Sequence, residues 1–94
     1  MFIKIADFTI RPGGRYREDG PYSGEEFRET ILIPALEKGD VVVDLSDLEG
    51  VGSSFLEEIF GGIVRAKGPE VRNKISIISH QSPSRVAKAT RYLG

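Results

Sequence analysis

Ninety-four residues suffice for one hydrophobic core but not two, because short chains bury a smaller share of their surface, so residues 1–94 read as a single domain. With 39% apolar and 29% charged residues and no cysteine, the chain is too hydrophobic to stay disordered, and disulfides, thiolate metal sites and a thiol nucleophile are excluded. A net charge of −1 argues against nucleic-acid binding, and no apolar run nears the roughly 18 residues that cross a bilayer, so a cytoplasmic protein with neither secretion nor membrane insertion is expected.

Met1 to Ile10 sets Phe2, Ile3, Ile5, Phe8 and Ile10 among polar residues, which predicts a first strand with one face covered. Arg11 to Tyr22 collects Pro12, Gly13, Gly14, Gly20 and Pro21 and reads as a loop or loose hairpin. Ser23 and Glu26 then form a capping box, Ser23 accepting from the amide three residues on and Glu26 reaching back to the Ser23 amide. Phe27, Ile31, Ala35 and Leu36 follow at helical spacing, and Gly39 ends the helix. Pro34 cannot donate to the Thr30 carbonyl, which predicts a kink or a break into two short helices.

Val41 to Leu45 is a β-branched run without alternation, the pattern of a strand buried on both faces. Leu48 to Gly52 reads as a turn. Leu56, Ile59, Phe60 and Ile63 then give an i, i+3, i+4, i+7 stripe, predicting a helix from Ser53 to Lys67 with a second capping box at Ser54 and Glu57. Gly61 and Gly62 inside it predict close approach to a neighbouring backbone. Gly68, Pro69 and Asn73 mark a turn, Ile75, Ile77 and Ile78 a third strand, and Ser82 with Pro83 the start of a last helix. Alternating strands and helices imply right-handed crossovers and a largely parallel sheet with helices packed on it.

Charge is unevenly spread. Seven acidic groups (Glu37, Asp40, Asp44, Asp47, Glu49, Glu57 and Glu58) stand against Lys38 in the middle, and Arg65 to Gly94 holds seven basic groups against Glu70. Asp44 and Asp47 read as a strand-end cap and a turn residue, not as a metal pair. His80, the single histidine, reads as a loop residue tying down local backbone. Arg85, Lys88 and Arg91 share part of one helix face and read as solvated. Arg15 reads as a pin for its glycine-rich loop, with Asp44 or Asp47 as acceptor. Phe60 is expected in the core and Phe55 at the surface.

A buried strand ending in Asp44, a turn through Gly50 to Gly52, and adjacent serines opening an amphipathic helix together resemble the central feature of STAS domains, the sulphate transporter and anti-sigma factor antagonist family. In that family the strand runs into an Asp-Ser-Ser-Gly or Asp-Ser-Thr-Gly tetrad whose first hydroxyl is phosphorylated by a partner kinase. Here the stretch is Gly52-Ser53-Ser54-Phe55. The elements Gly13-Gly14-Arg15-Tyr16, Ser23-Gly24-Glu25-Glu26-Phe27-Arg28 and Ser53-Ser54-Phe55-Leu56-Glu57-Glu58 are similar to those of a bacterial and phage STAS-like family of unknown function. The resemblance implies an α/β, STAS-like domain with a largely parallel, four-stranded-type sheet. It also implies a regulatory, non-enzymatic protein whose partner is a histidine-kinase-like ATPase, a serine kinase or an anti-sigma-type protein.

Two uses of the same surface follow. In the first, Arg15, Glu49, Gly52, Ser53, Phe55, Glu57 and Glu58 meet a protein partner, and a phosphate on Ser53 or Ser54 would sit close to Glu49, Glu57 and Glu58, whose repulsion alters docking. In the second, the free amides of Gly52 to Phe55, with Asp44, hold a small ligand or nucleotide. The simpler reading of Ser53 is a helix cap alone, since helices commonly start at serine. Neither use calls for a cofactor or a metal.

Overall fold

The β-branched run at Val41–Asp44 becomes β2, the middle strand of the sheet in the computed structural model, which describes residues 1–94. β1 (Phe2–Lys4) and β3 (Ile75–Ile78) flank it, both parallel to it, in the order β1-β2-β3. The register sets Ile3 beside Val43 and Val43 beside Ile77. Val41, Val43 and Ile75 on that face are buried, whereas Phe2, Ser76 and Ile78 on the other are exposed and Val42 is half-buried. Successive pleats point to opposite sides, so this division places the packed layer on one face of the sheet. Of the strand expected to be buried on both faces, the second face is covered only in part, with Asp44 buried and Val42 half-buried, and the sheet has three strands where four were expected.

The first strand is shorter than its apolar alternation predicted. Beyond Asp44 the partner strand ends, because the Asp44 carboxylate accepts from the Ser46 amide at 2.9 Å and turns the chain. With no ladder to join, Ile5–Phe8 folds as a short helix, α1, that carries Ile5 fully into the core. Phe8 meets Phe27 and Tyr22 edge-on, with ring centroids 5.5 and 5.4 Å apart. Such contacts favour one fixed loop geometry.

Ser23 starts α2 (Gly24–Phe27) by accepting from the Glu26 amide at 3.0 Å. The return bond differs from a standard box: Glu26 Oε1 accepts from the Tyr22 amide at 3.1 Å, one residue early. The amides of Gly24 and Glu25 donate to the carbonyls of Gly14 and Arg15, each at 3.0 Å. The glycine-rich loop thus supplies the acceptors that a helix start lacks.

Pro34 does not break the helix. After α2 the chain widens into a π-helical turn, Arg28–Leu32, and continues as α3 (Ile33–Leu36) with Pro34 in its first turn. A π turn bonds across five residues, so the buried stripe steps from Phe27 to Leu32 before resuming at Ala35 and Leu36. Ile31, predicted for the stripe from uniform helical spacing, is half-buried instead.

α4 (Ser53–Lys67) is the central helix, packed against α2, the π turn and α5 (Pro83–Leu93), with a 3-10 segment at Pro69–Lys74 leading into β3. Phe55, Leu56, Ile59, Phe60 and Ile63 from α4 join Phe27, Leu32, Val43 and Leu45 in one core. No helix is long and apolar enough to cross a membrane.

Candidate functional site

The route from β2 to α4 is stitched by polar contacts. Ser46, buried, accepts from the His80 amide at 2.8 Å, and the Asp47 amide donates to Gln81 Oε1 at 2.7 Å. Asp47 holds a left-handed backbone, φ 66°, and pairs with Lys4 Nζ at 2.7 Å, which lowers the Asp47 pKa and raises that of Lys4. His80 contributes its amide to this joint while its residue stays exposed.

Gly52 occupies the N-cap position in an extended conformation, and no side chain caps the helix. The Ser54–Glu57 box does not form, because Ser54 already lies inside the helix and the Glu57 carboxylate is drawn elsewhere. Ser53 and Ser54 are exposed. The Ser53 hydroxyl accepts from Lys88 Nζ of α5 at 3.0 Å. An unpaired helix start with a cation beside its first hydroxyl is an electropositive place.

One turn further on, a network of five charged side chains joins three separate segments. Glu57 takes Arg15 from the loop and Arg65 from its own helix, the latter at 2.6 Å. Glu58, buried, takes Arg28 from the π turn and Arg15, whose Nη1 stands 3.2 Å from Glu58 Oε1. Arg28 Nη1 also donates to the Glu58 main-chain carbonyl at 2.9 Å. The bond from Arg65, then that from Arg15, holds the Glu57 carboxyl down to about 2, and the same pairing raises both arginines. Arg28 Nε is buried without a partner.

The glycines make room for this network. A methyl group at Gly62 would overlap the Arg28 guanidinium, and one at Gly61 would overlap the Glu57 carboxylate as it reaches Arg65. Side chains, not a neighbouring backbone, therefore approach these two positions. The glycine that lets a backbone approach α4 is Gly24, where a Cβ would lie 2.7 Å from the Phe55 carbonyl oxygen.

Several expected site residues move accordingly. Phe55 is fully buried, since its place in the first turn of α4 turns its ring into the core, so it offers no surface to a partner. Glu58 is likewise buried, and Arg15 pins its loop to Glu57 and Glu58, not to Asp44 or Asp47. Glu49 is exposed and paired with Arg11. Gly52, Ser53 and Ser54 remain at the surface. Arg28, Arg65 and Lys88 join this site, Arg28 and Lys88 without a pattern in the sequence that assigns them to it. The signal for Arg65 was its spacing: Glu57, Gly61 and Arg65 rise along one helix face, and the glycine between lets the outer two meet.

A family model described as a STAS-like domain of unknown function (DUF4325) matches residues 23–85, a span running from the α2 cap to the first turn of α5. No curated protein and no solved structure matches the chain.

Proposed function

The chain belongs to the STAS-like domain family, and from that premise we propose that it is a regulatory binding module that docks a signalling protein at the start of α4. The resemblance in its motifs points to a histidine-kinase-like ATPase, a serine kinase or an anti-sigma-type protein as partner. Ser53 is the proposed phosphate acceptor, with Ser54 beside it. What supports this reading is that the Ser53 hydroxyl is exposed, caps nothing and is held only by Lys88.

Phosphate at Ser53 would add about −1.5 to −2 charge. Repulsion from the acidic middle of the chain is muted, because Glu57 and Glu58 are neutralised by Arg15, Arg28 and Arg65, and Glu49 faces Arg11. The modification would bind Lys88 in place of the hydroxyl and change the charge seen by a partner. Ligand binding at the same helix start has less support, since Asp44 is buried with an oxygen taken by the Ser46 amide.

Affinity capture from the native host with mass spectrometry tests the proposal. A recovered kinase-like or anti-sigma-type partner, together with phosphate on Ser53 that vanishes in Ser53→Ala, is the expected result. No specific partner and no phosphate on either serine would overturn it.

A further inference from the structure

The geometry points to an acidic, amphipathic peptide segment as the part of the partner that this module grips, seated in the groove between the start of α4 and α5. This rests on the binding-module reading and adds the chemistry of what is bound. The groove is open, about 430 Å³, and Val51, Leu56 and Ala87 supply its apolar lining while Arg85, Lys88 and Arg91 supply its charge.

Seven of the thirteen Lys and Arg side chains have no carboxylate partner, and three of them, Arg85, Lys88 and Arg91, gather along α5 at this groove. Four carboxylates of the acidic middle are answered internally: Asp47 by Lys4, Glu49 by Arg11, Glu57 by Arg15 and Arg65, and Glu58 by Arg28. Of the basic end, Arg65 is answered in this way and the three cations of α5 are not. Arg85 donates to the Leu48 carbonyl at 3.3 Å and Lys88 to the Ser53 hydroxyl at 3.0 Å, and Arg91 is exposed; none of the three has a carboxylate partner. A nearly neutral protein thus keeps three uncompensated cations along one wall of one groove.

Their spacing selects the ligand class. Positions 85, 88 and 91 rise roughly 9 Å along a helix, too far for one small anion to touch all three, whereas carboxylates recurring along a peptide can follow them. The apolar lining asks for aliphatic side chains between those carboxylates. A nucleic-acid strand fits less well, because its affinity comes from many phosphate contacts and this chain offers few cations here and a net charge of −1. Ser53 borders the groove through Lys88, so phosphate there would occupy one of the cations and weaken docking.

The test uses the whole chain, labelled with nitrogen-15, and a short amphipathic peptide with glutamates three residues apart and leucines between them. Expected are shifts of the Val51, Ser53, Leu56 and Ala87 amides, and affinity that falls with salt. Lys88→Glu and Arg91→Glu should each weaken binding roughly tenfold, while Lys38→Glu, with the same change in net charge, should not. Spectra of undiminished dispersion establish that these surface variants are folded. The proposal is overturned if the peptide does not bind, shifts amides elsewhere, or is matched by its lysine counterpart. It is equally overturned if a thymidine oligomer binds more tightly, or if inorganic phosphate alone saturates the same amides as strongly. Capture of a native partner that is indifferent to Lys88→Glu and Arg91→Glu would remove the groove and leave the binding module standing.

Discussion

Arg28 and Glu58, thirty residues apart in the chain, meet twice, since Arg28 Nη1 donates both to the Glu58 carboxylate and, at 2.9 Å, to the Glu58 main-chain carbonyl. The pair is almost wholly out of solvent and locks the π turn to α4. Breaking a buried pair from one side strands the other charge, so Glu58→Ala should destabilise the fold by about 3 kcal/mol. The double variant Arg28→Met with Glu58→Leu should lose less than the single one. Urea unfolding checks both, and a single-variant loss below about 0.5 kcal/mol would show the pair to be dispensable.

Ser23 and Ser53 look alike in sequence, each opening a helix, and should respond differently to alanine. Ser23 is fully buried and caps the Glu26 amide, so Ser23→Ala should cost about 1–2 kcal/mol. Ser53 caps nothing, and Ser53→Ala should stay within about 0.5 kcal/mol. Equal losses in thermal melts would contradict the assignment of the cap of α4 to Gly52.

Gly24 and Gly52 make a second contrast. Alanine at Gly24 would drive its methyl into the Phe55 carbonyl and against Glu58 Cβ, at 2.7 and 3.0 Å, and should cost about 1–3 kcal/mol even though alanine suits a helix. Gly52 has open space around it, so alanine there should cost only the poorer N-cap, below about 1 kcal/mol. Chemical denaturation of the two variants side by side decides this.

The pH dependence follows from Glu57. Its carboxyl is held at about 2 against an ordinary 4.5, by Arg65 first and Arg15 second, so between those values the unfolded chain takes up a proton that the folded chain refuses. Stability from this group is whole above pH 4.5 and drains away as pH falls toward 2. Glu57→Gln should flatten that part of the stability curve. An unchanged slope in urea midpoints across the range would place the acid sensitivity elsewhere.

The order of elements, the buried β2 run, the cap at Ser23 and the stripe on α4 were legible because each depends on local periodicity and local hydrogen bonding. What was not legible depended on distant partners. The first strand stops at Lys4 because β2 ends at Asp44, a fact held forty residues away. Leu32 replaces Ile31 in the core because the π turn, ahead of Pro34, changes the helical period within one element. At the site, Phe55 follows the core face of its helix, and the acceptors of Arg15 could not be read because the four other network members all lie on segments outside its loop. The motifs that carry the family likeness, Gly13 to Tyr16, Ser23 to Arg28 and Ser53 to Glu58, each supply a member of this network, through Arg15, Arg28, and Glu57 with Glu58.

The arrangement β1-β2-β3 leaves a parallel sheet with two outer strands and one solvent-facing side, a combination prone to recruiting strands from other chains. Brevity is its safeguard. Runs of three and four residues present too few main-chain groups for a stranger to zip onto, and Lys4 at the end of β1 adds a charge that any intruding strand would have to bury. Replacing Lys4 with valine would remove that charge and make the edge a better template for a strand from another chain.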